Sequence, residues 1–113
     1  MEYEIYETDI FSKIYEGLEK KEQEWIDKIK LQLKTNPYVG KPLRVKWFRE
    51  KKLNGKRLYY LIYENLSRIL ITAFGTKKEQ QKIIDHAIKN LDRYRRLVES
   101  PKQLFLFFPL LHL

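Results

Sequence analysis

Basic side chains and tyrosines accumulate in the middle of the chain, where they suit phosphate chemistry. Positions 53-81 have the sequence LNGKRLYYLIYENLSRILITAFGTKKEQQ. Lysine and arginine bind phosphates through charge and hydrogen bonds, and tyrosine rings stack on unpaired bases. Such groups also support cleavage of RNA by its own 2′-hydroxyl, which needs a positioned oxygen and charge stabilisation at phosphorus. Single-stranded RNA fits this mixture best, although lysines that merely solvate a small domain give the same composition.

Other catalytic chemistries find little support. The chain has no cysteine and two histidines, and it lacks a Ser-His-Asp order, a phosphate-binding glycine loop and a metal-ligand motif. We expect structural or surface roles for His86 and His112. Glu50 and Glu79 lie near the basic group, and we expect them to form ion pairs rather than to act as bases. Neither a metal nor a cofactor is expected.

The net charge indicates an anionic partner. Lysine and arginine outnumber aspartate and glutamate by 23 to 15, which gives a formal charge of +8. The partner is then nucleic acid, an acidic protein or a membrane surface. The N-terminal MEYEIYE is too polar for a signal peptide, and the lack of cysteine favours a cytoplasmic protein. No apolar run is long enough to span a bilayer, so no membrane partner is expected.

The elements that must position the basic residues follow from the hydrophobic pattern. Alternation over 2-7 predicts a strand, and apolar spacing over about 9-35 predicts a helical hairpin, with one long bent helix as the alternative. A strand is predicted from Leu43, and Asn54-Gly55 marks a turn into further strands at about 56-64 and 68-74. Connections this short predict an antiparallel meander. A final helix is predicted from Thr76 to about Val98.

Strand alternation divides these side chains between two faces of the sheet. Helices are expected to cover the face formed by the sets Val45/Trp47, Leu58/Tyr60/Ile62 and Ile69/Ile71/Ala73. The opposite face is expected to be open and cationic, with Arg44, Lys46, Arg57, Tyr59 and Tyr63. The sequence thus predicts an α+β domain over 1-99 with helices on one face. Three alternatives stay open for the apolar tail at 100-113. It packs on the domain or on another copy of the chain, it docks on a partner, or it is not part of the native protein.

In order along residues 3-98, these segments resemble the RelE/ParE toxin superfamily. The segments are NPYVGKPL, FREKKLNGKRLYYLIYE and ILITAFGTKKEQQKII. The resemblance implies a compact α+β fold and toxicity within a type II toxin–antitoxin pair, in which an antitoxin wraps the toxin and masks its basic groove. RelE-like members cut mRNA in the ribosomal A site, and ParE-like members poison gyrase.

The resemblance also implies roles for individual residues. The strand arginine and the basic residue after the fourth strand, which stabilise the transition state, match Arg57 and Lys77, with Lys78 as the alternate. The phosphate-binding candidates on the second strand are Lys46, Arg49 and Lys51. Tyr59 is expected to stack on a base, and Gln81, with Gln80 as the alternative, to position the substrate.

One position departs from the RelE-like pattern. Some RelE-like enzymes place a tyrosine near the start of the last helix, and counting from Gly75 its counterpart here is Ile83. The expected function is a ribosome-dependent, metal-independent mRNA endonuclease, with a cognate antitoxin and ribosome-bound mRNA as partners. A ParE-like gyrase inhibitor and a catalytically inactive RNA-binding module are the alternatives, and the oligomeric state stays open.

Overall fold

The fold is a five-stranded mixed sheet flanked by four helices. It was obtained as a computed structural model that describes residues 2–100. The strands are β1 (Glu4–Glu7), β2 (Lys41–Leu43), β3 (Val45–Leu53), β4 (Lys56–Tyr63) and β5 (Arg68–Thr76), and the helices are α1 (Asp9–Glu16), α2 (Lys20–Thr35), α3 (Gln80–Lys89) and α4 (Leu91–Glu99). The strand order is β1-β5-β4-β3-β2, with β1 parallel to β5 and the other pairs antiparallel. The predicted α+β class and meander are confirmed.

The N-terminal helices form the predicted hairpin rather than one bent helix. Thr8 caps α1 because its hydroxyl oxygen accepts a hydrogen bond from the Phe11 N–H at 3.1 Å. The same hydroxyl donates to the Thr72 carbonyl at 2.9 Å, which ties the start of α1 to β5. Gly17 ends α1, and α2 stops before Pro37, which opens a short 3₁₀ turn at Pro37–Val39.

The strand predicted from Leu43 is two strands instead. Arg44 has a φ of 64°, in the left-handed region, so the chain reverses between β2 and β3. Leu43 then pairs with Val45, and Lys41 with Glu50. The next turn lies where it was predicted, at Asn54-Gly55, with a φ of 52° at Asn54.

Helices cover both faces of the sheet, so the prediction of helices on one face is wrong. On the first face, α1 and α2 contribute Phe11, Ile26, Ile29 and Leu33, which pack on Leu58, Tyr60, Ile62, Ile69 and Ile71. On the second face, α3 and α4 contribute Ile84, Ala87, Tyr94 and Val98, which pack on Phe48, Tyr59, Leu61 and Leu70. Aliphatic side chains on both faces of β4 and β5 must leave water, and this requires a second helical layer.

That second layer results from a break at Asn90. The helix predicted for 76-98 consists of a 3₁₀ turn at Lys77–Glu79 followed by α3 and α4. The Asn90 side-chain amide donates to the His86 carbonyl at 2.8 Å and so satisfies a carbonyl at the end of α3. Across the described range, none of the helices is both long and apolar enough to cross a membrane. The apolar tail lies outside the described residues, apart from Ser100.

Candidate functional site

A buried polar cluster lies where β3, β4 and α3 meet. The Arg57 Nε atom lies 3.4 Å from the Glu50 Oε2 atom, and these side chains are only 9% and 5% exposed. The Gln80 side-chain amide donates to the same Glu50 oxygen at 2.7 Å. We call these three residues the Arg57 cluster. It holds a guanidinium in a fixed place with little contact to water, and the expected ion pair of Glu50 is confirmed.

Tyr59 lies beneath the Arg57 cluster and is fully buried. It pairs with Glu50 across β3 and β4. Burial raises the pKa of the Tyr59 hydroxyl, while the nearby Gln80 amide and the Arg57 charge act in the opposite direction. The hydroxyl has no hydrogen-bond partner of ordinary geometry. The prediction that Tyr59 stacks on a base is therefore wrong for this conformation, because α3 and α4 cover the face on which it lies.

Two exposed lysines stand beside the cluster. Lys77 and Lys78 belong to the 3₁₀ turn that follows β5, and Arg57 pairs with Gly75 at the end of that strand. Thr76 and Glu79 fix the turn as a capping box, in which the Glu79 carboxylate accepts from the Thr76 N–H at 2.8 Å and from its hydroxyl at 3.0 Å. These bonds lower the pKa of Glu79. The structure thus brings Arg57, Lys77 and Lys78 to one end of the sheet.

The two glutamines at the start of α3 make different contacts near this end. Gln81 is exposed, and its amide donates to the Asp85 carboxylate one turn along the helix at 2.9 Å. Gln80, the alternative to Gln81 in the sequence prediction, is the glutamine that contacts Glu50 of the Arg57 cluster. Ile83 lies over Gly75, since its Cδ1 atom is 3.2 Å from where a Cβ on that glycine would stand. An apolar residue therefore borders the cluster there.

The basic residues of β3 that were predicted to bind phosphate do not lie beside Arg57. Lys51 pairs with Leu58, and like Arg49 it lies on the first sheet face, away from Arg57. The Arg49 guanidinium donates to the carbonyls of Lys46, Tyr38 and Gly40 at 2.9, 3.2 and 2.7 Å, so it holds backbone.

Lys46 is also far from the Arg57 cluster. Its Nζ atom lies 5.3 Å from the centre of the Tyr38 ring. It lies six positions before Lys52, which pairs with Arg57, and that corresponds to ~20 Å of strand. Lys46, Arg49 and Lys51 are therefore not assembled with Arg57 into one site. Among residues 2–100 no group of three His, Cys, Asp or Glu side chains could hold a metal ion.

Comparison with known proteins gives matches at the level of structure. No family model and no curated protein matches the chain. A mutant of the E. coli toxin RelE in the free state has a TM-score of 0.69 at 18% identity, over 80% of this chain and 98% of that one. The same mutant in complex with an antitoxin RelB peptide has a TM-score of 0.62 at 19% identity, over 77% and 95%. The RelBE2 toxin–antitoxin complex of Mycobacterium tuberculosis has a TM-score of 0.60 at 20% identity, over 68% and 100%.

These likenesses extend over nearly the whole of each solved chain, and they agree with the motif order along residues 3-98. At such identities they establish the architecture. The chain therefore has the compact α+β fold of the RelE toxins.

Proposed function

We propose that this chain is the toxin of a type II toxin–antitoxin pair and that it cleaves ribosome-bound mRNA without a metal ion. The observation that carries the proposal is the convergence of Arg57 with Lys77 and Lys78 at one end of the sheet. A positioned guanidinium and two exposed ammonium groups are what a pentavalent phosphate needs for charge stabilisation. The RelE-like fold supports the same assignment.

The proposed reaction uses the RNA's own 2′-hydroxyl. Its oxygen bonds to phosphorus, the bond from phosphorus to the 5′-oxygen breaks, and the products are a 2′,3′-cyclic phosphate and a 5′-hydroxyl. Arg57 stabilises the extra charge on the phosphoryl oxygens. Water accepts the proton of the 2′-hydroxyl, since Glu50 serves as the counter-ion of Arg57. Lys77 or Lys78 gives a proton to the departing 5′-oxygen.

The proposed partners follow from the same end of the molecule. Several structures of this fold are complexes with an antitoxin, and one contains a RelB peptide. An acidic antitoxin segment that covers Lys77 and Lys78 would neutralise charges that would otherwise meet RNA. Ribosomes are then the place of action, and the cytoplasm is the expected location.

The first test maps transcript 5′ ends by primer extension shortly after expression without an antitoxin. The proposal expects cuts in register with codons, and none in messages that are not translated. Growth arrest with intact transcripts would contradict the nuclease and favour a gyrase inhibitor. Normal growth with intact transcripts would leave a binding module without toxicity.

The site assignment is tested with surface lysines, because removing Arg57 would leave the buried Glu50 carboxylate unpaired. Lys77→Ala combined with Lys78→Ala is expected to reduce cleavage about 100-fold, the usual effect of removing a group that stabilises charge in the transition state. The control combines Lys28→Ala with Lys89→Ala, which removes the same charge from exposed helix positions. Equal cleavage by the two double variants would contradict the assignment.

A further inference from the structure

A cavity opens at the end of β4 opposite the Arg57 cluster. The pairing of β3 with β4 ends at Phe48 and Leu61, although β3 begins at Val45 and β4 continues to Tyr63. A cavity of about 530 Å³ lies beside these strand ends, between the 3₁₀ turn at Pro37–Val39 and the start of α4. We call it the strand-end cleft. Its volume lies within the range of sites that bind small organic groups, roughly 300–1,000 Å³.

Aromatic rings line the strand-end cleft. Tyr38, Trp47 and Tyr63 come from three different elements and border the same space. Trp47 is 42% exposed, an unusual state for a tryptophan in a small domain that has only two. Burial raises the pKa of Tyr63 to about 12, with the Arg95 charge acting in the opposite direction, and the residue is partly buried against the second-face core. These rings favour a flat, apolar-faced ligand.

The wall that carries Tyr38 is held rigidly. The Tyr60 hydroxyl donates to the Pro37 carbonyl at 2.8 Å and accepts from the Gly40 N–H at 3.0 Å. The Arg49 guanidinium adds bonds to the Tyr38 and Gly40 carbonyls and lies 4.9 Å from the centre of the Tyr38 ring. The strand-end cleft is therefore formed before any ligand arrives, and a ligand loses little affinity to ordering the protein.

The strand-end cleft is lined by equal numbers of positive and negative side chains. Lys46 and Arg95 contribute two positive groups, and Glu64 and Asp92 two negative ones. A bare phosphate would meet both signs, so the cleft does not favour an anion as such. Carboxylates only accept hydrogen bonds, so they select ligands that carry N–H donors. The cleft thus combines stacking surfaces with acceptors for N–H groups.

We propose that the strand-end cleft binds one unpaired nucleobase, with guanine preferred. Guanine presents adjacent N1–H and N2–H groups on its Watson–Crick edge, which match the two oxygens of a carboxylate. Its flat faces suit the aromatic lining, as in the recognition of unpaired bases by stacking and edge contacts. Of the two carboxylates, Asp92 is assigned the guanine contact, because the Glu64 side chain already interacts with the Tyr38 hydroxyl, whose pKa is raised first by burial and then by Glu64.

The proposal does not depend on the Arg57 cluster. The two regions are separated along β3 by about the distance from Lys46 to Lys52, which is ~20 Å. The strand-end cleft is therefore a separate RNA contact, and it could exist in a nuclease, a gyrase inhibitor or an inactive binding module. Its test must measure base binding rather than cleavage.

The experiment follows the Trp47 indole N–H signal by NMR in the full chain. Only Trp25 and Trp47 give such signals, and Trp47→Phe assigns them. Guanosine, uridine and inorganic phosphate are titrated separately. We expect a saturable shift of the Trp47 signal with guanosine, weaker binding of uridine by about fivefold or more, and no saturable shift with phosphate. The Trp25 signal should not move, because Trp25 packs on Phe74 in the first-face core.

Matched variants connect the shift to the proposed contacts. Asp92→Asn should weaken guanosine binding about tenfold, since a hydrogen bond to a charged group is lost. Asp85→Asn makes the same change on exposed α3 and should leave binding unchanged. The Lys77→Ala/Lys78→Ala variant should also bind guanosine normally, even though it loses cleavage.

Each of the following outcomes would overturn the proposal. They are no saturable shift with any nucleoside, an equal shift with phosphate, and equal guanosine affinity in Asp92→Asn and Asp85→Asn. A shift of the Trp47 signal by an apolar compound such as N-acetyl-leucinamide, without one by nucleosides, would overturn it too, and would assign the cleft to a protein partner.

Discussion

The two ends of β4 present polar groups in opposite ways. At the Arg57 cluster, the two charged side chains are buried and pair with each other, and the partly buried Gln80 amide binds Glu50. At the strand-end cleft, charges and rings border open space, and their backbone supports are already bonded. The Arg57 cluster must break its internal contacts before it can bind substrate. The strand-end cleft can bind a ligand without breaking any such contact.

This difference has an energetic consequence. A phosphate that reaches Arg57 has to compete with the Glu50 carboxylate, and Gln80 has to leave the same oxygen. The cost is small if a second contact already holds the RNA, because binding at one point raises the local concentration at the other. The strand-end cleft could provide that second contact. The variants below separate the two ends, starting with the largest expected effect.

The largest effect is expected for Glu50→Gln. The change leaves the Arg57 charge buried without its counter-ion, which costs about 3 kcal/mol of unfolding free energy. Combining it with Arg57→Gln removes both charges and should recover a large part of the loss. Urea unfolding of the two single variants and the double variant measures the coupling. Additive losses would show that the pair is not coupled. Guanosine binding at the strand-end cleft should not change in any of the folded variants.

A smaller effect, at the opposite end, is expected for Gly40→Ala. A Cβ there would stand 2.6 Å from both the Glu50 carbonyl oxygen and the Tyr60 hydroxyl, so backbone has to shift, at about 2 kcal/mol. The control is Gly55→Ala, where no atom lies within 4 Å of the added Cβ, and stability should change by at most about 0.5 kcal/mol. Because Gly40 adjoins the Tyr38 turn, Gly40→Ala should also weaken guanosine binding. Equal stability of the two variants would contradict the close approach.

The sequence predicted the helices on the first face of the sheet correctly, but it did not predict the helical layer on the second face. The α1–α2 hairpin, β4 and the Asn54-Gly55 turn follow from apolar spacing and turn chemistry. The break at Asn90 does not, because the helical apolar stripe continues through Leu91, Tyr94 and Val98 without a Gly or Pro. Only tertiary packing turns that continuous pattern into two helices on the second face.

The candidate site was predictable where strand pairing decided it. Arg57 and Lys77 are close because β4 and β5 are consecutive and antiparallel. Gln80 joins Glu50 across thirty residues of sequence, and no local pattern predicts such a contact. Tyr59 was misassigned because a tyrosine on a strand has the same pattern whether a helix covers it or not.

The smallest effects on stability are expected at two adjacent tyrosines. The hydroxyl of one has hydrogen-bond partners and that of the other has none. Tyr60→Phe removes the bonds to the Pro37 carbonyl and the Gly40 N–H and leaves both backbone groups unsatisfied, at a cost of about 1.5 kcal/mol. Tyr59→Phe removes a buried hydroxyl that has no hydrogen-bond partner, so stability should stay the same or rise slightly.

The same pair tests how each end of β4 is supported. Urea unfolding gives the two free energies, and the Trp47 signal reports the strand-end cleft. Tyr60→Phe should weaken guanosine binding, because the turn that carries Tyr38 loses its anchor, whereas Tyr59→Phe should bind guanosine normally. A loss of stability in Tyr59→Phe as large as that in Tyr60→Phe would mean that the Tyr59 hydroxyl has a partner in solution. Gln80 would be the group to suspect, because its amide already acts on the Tyr59 pKa. The Arg57 cluster would then extend to Tyr59, and its opening for RNA would break one more bond.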